Sequence, residues 1–319
     1  MNYRNRRFIT WLIAGTLALC VVIAVAQTRV GATKRYPRIP FYETTESIGK
    51  FTLVQGAIPS NFPTEFRVYK VKPLASKKNA ILKIFKALPL KSGPKTDAML
   101  RQLEHAPESL IEKEEPLRVS IGGWRVKVWS GGQFLIDKEE PIKPFTKVKD
   151  IPASPAPEEA RKAADAFLAR IKPELPDPDV HFCRISPQDT YDDVVASLSV
   201  SYSAELDGIP YDIVSIGIGT GPTVTGMSCH LRRVVPDGMV PILTPQEAVE
   251  KLQAKEGHVC NGDWAAGNVT SFKIVYYNEP HMSHIMPIYI ISGEDHSGKW
   301  NASVEAARPE YLEKKPAGK

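Results

Sequence analysis

A strict two-residue alternation in the middle of the chain constrains its fold more than any other sequence feature. From Ser197 to Leu206 every second residue is apolar, and the residues between them are polar, mostly serines. Successive side chains of a β-strand point to opposite faces of the sheet, so this pattern predicts a strand with one dry and one wet face. Asp207-Gly208 follows as a favoured two-residue turn. Further strands predicted over 209–218 and 223–231 complete an antiparallel meander.

Two helix starts of the same kind organise the second half of the chain. Pro157-Glu158-Glu159-Ala160 and Pro245-Gln246-Glu247-Ala248 lie 88 residues apart. Thr244 precedes the second start and forms a capping box with Glu247, with proline at the first helical position. Each helix is followed by strand-like runs. This half is therefore predicted to contain two helix-then-sheet units.

The first half predicts a smaller mixture of helices and strands. Its elements are a strand over 66–72, an amphipathic helix over 76–88, a short helix after Thr96, and a hairpin whose strands cover 124–129 and 133–137. A proline cluster over 152–157 then marks a domain boundary.

The expected fold class is α+β, with antiparallel sheets and packed helices after one amino-terminal transmembrane helix. The folded regions are a small α+β domain over 48–150 and a two-unit α+β domain over 151–308. A frayed tail covers 309–319.

The amino terminus predicts the compartment. Residues 1–7 contain three arginines, and residues 8–26 form a stretch of nineteen residues without charge. A membrane-spanning helix needs about 20 apolar residues, and cationic residues stay on the cytoplasmic side. We therefore expect a short cytoplasmic start, a signal-anchor over 8–26, a linker over 27–47 and an extracytoplasmic body on a single-pass membrane protein. The alternative is secretion after cleavage at Ala26, because residues 24–26 form an A-x-A site.

Composition excludes several function classes. The chain is 43% hydrophobic and 24% charged, which is ordinary for a globular protein and excludes wholesale disorder. The net charge is +5, and three of the positive charges precede residue 8, which leaves about +2 for the rest. A nearly neutral body does not favour nucleic-acid binding, which depends on concentrated positive charge.

Two residue pairs are candidates for covalent or binding roles. Cys229 and Cys260 are the preferred disulfide pair, because each borders a strand-like run. The alternative is that these thiols and Cys183 stay reduced as small buried hydrophobes. Trp124 and Trp129 fall on opposite faces of one predicted strand, so one of them is a candidate partner anchor, and packing under the helix of the first region is the alternative.

Several short motifs resemble those of PepSY and thermolysin-propeptide-like (FTP) domains. The resemblance covers residues 156–307, about half of the chain. The motifs are Tyr202-Ser203-Ala204-Glu205-Leu206-Asp207-Gly208-Ile209-Pro210, the hairpin Ile216-Gly217-Ile218-Gly219 to Val224, Leu243-Thr244-Pro245-Gln246-Glu247-Ala248, and the strand pair Tyr276-Tyr277 and Pro287-Ile288-Tyr289. One departure is Tyr211, which stands where the family has valine after Pro210.

The layout of one anchor followed by such units is similar to the YycH/YycI type of accessory regulators of sensor kinases. The resemblance implies PepSY-like or cystatin-like folded units. It also implies protein binding or inhibition rather than catalysis, with another membrane or envelope protein as the partner. It supplies no catalytic residue and no cofactor.

The function expected from these observations is a membrane-anchored protein-binding module, not an enzyme, that acts as an accessory regulator or inhibitor. Nucleophile and cofactor motifs of known enzyme classes do not occur in the sequence. One alternative is a metal-binding hydrolase centred on His281 and His284, a pair spaced as two ligands of one metal would be on a helix. A purely structural envelope protein is a further alternative.

Overall fold

A computed structural model describes residues 34–40, 47–139, 152–191, 194–259, 264–279, 281–295 and 298–314. Strands take up 47% of these residues and helices 22%. The protein is therefore mostly β, and the expected α+β class of PepSY-like or cystatin-like units is wrong. Several strands lack a clear two-residue alternation in the sequence, so the pattern assigned each helix to a small sheet of its own.

The described part of the chain contains fourteen strands, five α-helices and two short 3-10 helices, Lys172–Glu174 and Pro309–Tyr311. In chain order the strands and α-helices are β1 (Ser47–Leu53), β2 (Glu65–Val71), α1 (Lys77–Ala87), α2 (Pro94–His105), α3 (Glu108–Ile111), β3 (Leu117–Ile121), β4 (Trp124–Val128), β5 (Phe134–Lys138), α4 (Pro157–Ile171), β6 (His181–Tyr191), β7 (Val194–Leu206), β8 (Ile209–Gly219), β9 (Thr223–Cys229), β10 (Val234–Pro241), α5 (Pro245–Gln253), β11 (Gly257–Val259), β12 (Trp264–Tyr277), β13 (His284–Asp295) and β14 (Gly298–Glu305).

Sheet II contains seven antiparallel strands in the order β3-β4-β5-β9-β8-β7-β6. The predicted hairpin forms β4 and β5, and the predicted meander forms β7, β8 and β9. β5 pairs with β9, with Phe134 opposite Cys229. This pairing joins the hairpin of the first half to the meander of the second.

One face of sheet II carries a dry core under two helices. α1 contacts β3 and β4, α4 contacts β7, β8 and β9, and the two helices contact each other. A row of cross-strand neighbours runs across five strands under these helices, and each member is at most 2% exposed: Val126, Ile136, Met227, Ile216 and Val200. The apolar half of the alternation in β7 faces this core, as predicted.

Sheet I contains the other seven strands. β1, β12, β13, β14 and β11 follow one another, and β2 joins β13 to β10. β1 runs parallel to β12, and the remaining pairs are antiparallel. α5 contacts β1, β11 and β14. Its predicted capping box is present, because Thr244 Oγ1 accepts from the backbone N–H of Glu247 at 3.2 Å and the Glu247 carboxylate accepts from the backbone N–H of Thr244 at 2.6 Å.

Both sheets mix strands from the two predicted domains. β2 of the first half pairs with β10 and β13, and β3 to β5 share sheet II with β6 to β9. Residues 39–307 form one compact unit. The boundary predicted at residue 151 therefore does not separate two compact units, because hydrogen bonds between strands cross it.

The second compact unit includes residues 34–38 of the predicted linker and residues 308–314 of the predicted tail. Tyr36 forms a parallel bridge with Leu312, and its backbone N–H donates to the carbonyl of Tyr311 at 2.9 Å. Tyr36 and Leu312 are both 2% exposed. The expectation of a frayed tail is thus wrong as far as residue 314.

The predicted membrane anchor can be compared with the helices that the structure describes. None of the helices in the described ranges has the length and hydrophobicity needed to cross a bilayer. The predicted cytoplasmic start over 1–7 and the predicted anchor over 8–26 lie outside these ranges.

Candidate functional site

A polar groove of about 490 Å³ lies on the face of sheet II that the helices leave open. Its floor is built by the serine half of the alternation in β7 together with serines of the two following strands. Ser201 pairs with Ser215, which pairs in turn with Ser228, so three hydroxyls form one row across the sheet. The Oγ atoms of Ser199 and Ser215 lie 2.5 Å apart. We call this feature the serine groove.

Two glycines continue this face of the sheet beyond the serines. Gly217 pairs with Ser199 on one side and with Gly226 on the other. A Cβ atom added at Gly226 would lie 2.7 Å from the carbonyl oxygen of Ile136, and one at Gly217 would lie 2.7 Å from side-chain oxygens of both Gln188 and Thr225. A side chain at Gly226 would therefore meet the backbone of β5, and the side chains of Gln188 and Thr225 lie over the sheet at Gly217.

The serine face is drier than the alternation predicts. Ser197 and Ser201 are 6% and 4% exposed, whereas a solvent-facing strand would leave them open. The groove walls account for the difference at Ser201. Arg184 of β6 rises on one side, and Asn278 and Glu279, from the turn after β12, rise on another.

Asp212 provides a fixed carboxylate in the groove. Its Oδ1 accepts from the backbone N–H of Ile213 at 2.7 Å, and its Oδ2 accepts from the side-chain amide of Asn278. Burial raises the pKa of this carboxyl, although these hydrogen bonds and the nearby His230 oppose the rise. The groove thus holds a partly desolvated acid whose orientation is set from two directions, with a cation at Arg184 and a second acid at Glu279 beside it.

A buried guanidinium positions the wall that contains Asn278. Arg232 is 3% exposed, and burial lowers its pKa to about 10. Its Nη1 donates to the side-chain oxygen of Asn278 at 3.3 Å and to the carbonyl of Glu279 at 2.7 Å, and its Nη2 donates to the carbonyl of Met282. Arg232 follows β9 of sheet II, whereas the turn it holds belongs to sheet I, so the groove is assembled where the two sheets meet.

The predicted turn motif lies at a different corner. Leu206 pairs with Ile209 across Asp207 and Gly208, whose φ angles of 52° and 75° are those of a left-handed hairpin turn, and Pro210 follows in β8. Asp207 Oδ2 lies 3.5 Å from Arg67 Nε and accepts from the Tyr276 hydroxyl at 3.3 Å. The motif therefore ties sheet II to sheet I.

The two predicted anchor tryptophans take different positions. Trp124 is 4% exposed, stacks near Phe167 with ring centroids 6.1 Å apart, and donates its indole N–H to the carbonyl of Pro89 at 3.3 Å. Phe167 belongs to α4, so Trp124 is buried against the helix that opens the second half, whereas the alternative had named the helix of the first region. Trp129 follows β4 and is half-buried.

The predicted disulfide between Cys229 and Cys260 does not form. Cys229 is a free thiol, 1% exposed, between Phe134 and Val214 on the dry face of sheet II. Burial raises the pKa of this thiol. Cys260 lies outside the described residues, and Cys183 is free and exposed.

The histidine pair proposed for a metal has other partners. His284 Nδ1 lies 2.9 Å from the Ser283 hydroxyl, and its Nε2 lies 3.1 Å from Asp237 Oδ2, so both ring nitrogens are engaged. This contact connects β13 to β10 across β2. His281 is exposed. In the described ranges, no group of three or more His, Cys, Asp or Glu residues is placed to hold a metal ion.

Sequence reasoning found the serines of β7 but missed the rest of the groove. Ser215 and Ser228 occupy the matching alternate positions of β8 and β9, so the same two-residue period could have found them. No local pattern indicates Asp212, Asn278 or Arg232, because they meet only through the junction of the two sheets.

Comparison with known proteins gives no assignment. No protein-family model matches the chain, and no curated protein matches it at a significant level.

Proposed function

We propose that this chain is a membrane-anchored, extracytoplasmic protein-binding module and that the serine groove receives an extended polar segment of its partner. The observation that carries the proposal is the groove itself, a floor of serine hydroxyls beside an oriented carboxylate. Such an arrangement suits binding, because hydroxyls both donate and accept hydrogen bonds and adapt to a bound main chain.

The size and chemistry of the groove support contact with a peptide segment. Its floor crosses the three strands β7, β8 and β9, and its walls present both a cation at Arg184 and the acid at Asp212. Complementary charges at a rim fix orientation and partner choice more than they add affinity. A partner segment with polar side chains and a basic residue placed at Asp212 would satisfy these groups.

The rest of the proposal follows from the sequence. The uncharged segment over 8–26 after three arginines supports a single anchor with the body outside the cytoplasm. The layout of one anchor before a folded body, which resembles that of YycH/YycI-type regulators, supports a role as an accessory regulator or inhibitor of another membrane protein.

The test is affinity capture of the tagged full chain from solubilised native membranes. We expect the chain in the membrane fraction with a mass that includes residues 1–26, together with one reproducible partner. Ser228→Gln places a long side chain on the groove floor and should reduce partner recovery about tenfold, a loss of about 1.4 kcal/mol in binding free energy. Thr220→Gln, on the exposed turn before β9, is the matched control and should recover the partner as the wild type does.

Three outcomes would count against the proposal. Capture without a reproducible partner would remove the binding role. Equal recovery by Ser228→Gln and Thr220→Gln would remove the groove as the site. A mature chain that begins at Gln27 would replace the anchor with secretion. Circular dichroism of both variants would show that any loss is not due to unfolding.

A further inference from the structure

A second cavity lies at one end of sheet II, between α4 and the turns that close two hairpins. It has a volume of about 420 Å³, which is within the range of about 300–1,000 Å³ that is usual for small-molecule sites. Trp124 and Phe167 contribute to its apolar lining together with Ala163. We call it the cationic cleft, because Lys91, Lys138 and Arg170 also line it.

The charge of the cleft is one-sided. The three cations come from three separate elements: the segment before α2, the end of β5, and the last turn of α4. No aspartate or glutamate is among the described residues that line the cleft. Lys91 and Arg170 are both exposed, and neither has a carboxylate within salt-bridge distance in the described ranges. An apolar floor beside Lys91 and Arg170 is complementary to a molecule with an apolar body and an acidic head.

The floor itself is rigid. Trp124 is fixed by its hydrogen bond to Pro89 and its stack on Phe167, and both rings are at most 5% exposed. Next to them, Ala163 and Ala166 on the facing side of α4 are small, which leaves room above the rings. A ligand therefore meets a preformed surface, which lowers the cost of binding.

We infer that the cationic cleft binds a small anionic amphiphile, a carboxylic acid with an aliphatic chain. The chain would lie over Trp124 and Phe167, and the carboxylate would lie between Lys91 and Arg170. The cleft is on the helix side of sheet II and the serine groove is on the opposite face, so this inference does not depend on the proposed protein-binding role.

Titration of the full chain with dodecanoate below its micelle concentration tests the inference. Tryptophan fluorescence reports binding near Trp124, and equilibrium dialysis measures the stoichiometry. We expect saturable binding of one dodecanoate per chain. Dodecyltrimethylammonium, which has the same chain length and the opposite charge, should bind at least about tenfold more weakly.

Charge reversal localises the site. Lys91→Glu with Arg170→Glu should weaken dodecanoate binding at least about tenfold. Lys95→Glu with Lys162→Glu changes the net charge by the same amount at exposed positions of α2 and α4 that do not line the cleft, and should leave binding unchanged.

Failure of dodecanoate to bind would overturn the inference, as would equal binding of the ammonium compound. Equal losses in the two double variants would show that binding responds to overall charge and would also overturn it. Partner capture through the serine groove would be unaffected by any of these results.

Discussion

Asp212 is the residue at which the proposed binding role and the stability of the fold make opposite demands. Its carboxyl is held in a partly desolvated position, and burial raises its pKa. A buried acid whose charged form is disfavoured lowers the stability of the folded state at neutral pH. Retention of such a group beside an open groove is typical of a residue whose role is to contact something else.

Asp212→Asn is expected to stabilise the protein increasingly as pH rises. Well below the ordinary Asp pKa of about 3.9, the carboxyl is neutral in both folded and unfolded chains, so the wild type carries no charge penalty. Because the folded pKa is raised, the penalty develops as pH rises through the unfolded value and is complete above the folded value. In urea unfolding from pH 4 to 7, the free energy of unfolding of the variant should therefore rise relative to that of the wild type.

The exposed Asp97→Asn serves as the control for the general loss of an acidic residue and should show no such pH-dependent gain. A stability difference for Asp212→Asn that stays constant or shrinks with rising pH would contradict the prediction. If Asp212 contacts the partner, the same variant should also recover less partner from membranes, so stability and binding would change in opposite directions.

The residue scale is also where prediction from sequence is least complete. The serine alternation of β7 indicated a polar face, because the two-residue period is local. The partners of Asp212 and Arg232 lie 66 and 46 residues away at Asn278. Contacts between residues so far apart produce no periodic pattern in a single sequence, so they could not be predicted from it.

At the scale of single elements, local chemistry predicts helices well. The sequence predicted α4 over 157–171 and the start of α5 at Pro245, and both match. The groups that cap a helix lie within three or four residues of its first residue, so a short stretch of sequence contains all of them.

Thr244→Ala should destabilise the protein by about 1 kcal/mol. The substitution removes the hydroxyl that accepts the backbone N–H of Glu247 at 3.2 Å, which leaves one donor of the first turn without its cap. Thermal or urea unfolding measures the change. Gln246→Ala is the matched control, because Gln246 is the exposed second residue of the same helix. It should change stability by less than about 0.5 kcal/mol. Equal effects of the two substitutions would show that the cap contributes nothing specific.

Two of the strands that were missed, β6 and β10, share a physical reason. β6 is an edge strand whose residues are largely exposed, and it contains Pro187 and three register shifts, so it lacks a clean alternation. β10 contains Pro236 and Gly238 with a register shift between them. Bulges and prolines protect edges from unwanted pairing, and they also erase the period on which strand prediction depends.

At the scale of the whole molecule, the pairing of β5 with β9 decides the architecture. Periodicity identifies strands but does not indicate which strands pair. Strands of similar length and polarity have the same pattern, so the pattern does not distinguish one pairing partner from another. The predicted domain boundary failed for this reason. Hydrogen bonds between Phe134–Asp137 and Gly226–Cys229 join parts of the chain that a proline cluster separates in sequence.

Residues 39–307 are therefore expected to unfold as one cooperative unit. Urea transitions followed by far-UV circular dichroism and by tryptophan fluorescence should coincide. Native-state hydrogen exchange should give similar opening free energies for the central strands β9 of sheet II and β13 of sheet I. Two separated transitions, or protection that differs by several kcal/mol between these strands, would contradict the prediction.

The same pairing imposes a delay between the synthesis of β5 and the synthesis of its partner β9. β5 is complete once Lys138 has left the ribosome, but its neighbour β9 ends at Cys229, about 90 residues later, which corresponds to roughly 5–18 s at ordinary elongation rates. During that interval the free edge of β5 in the nascent β3-β4-β5 sheet has unpaired backbone groups, which can form hydrogen bonds with strands of other chains. Slower translation through 139–229 should therefore lengthen the exposure of this edge to mispairing.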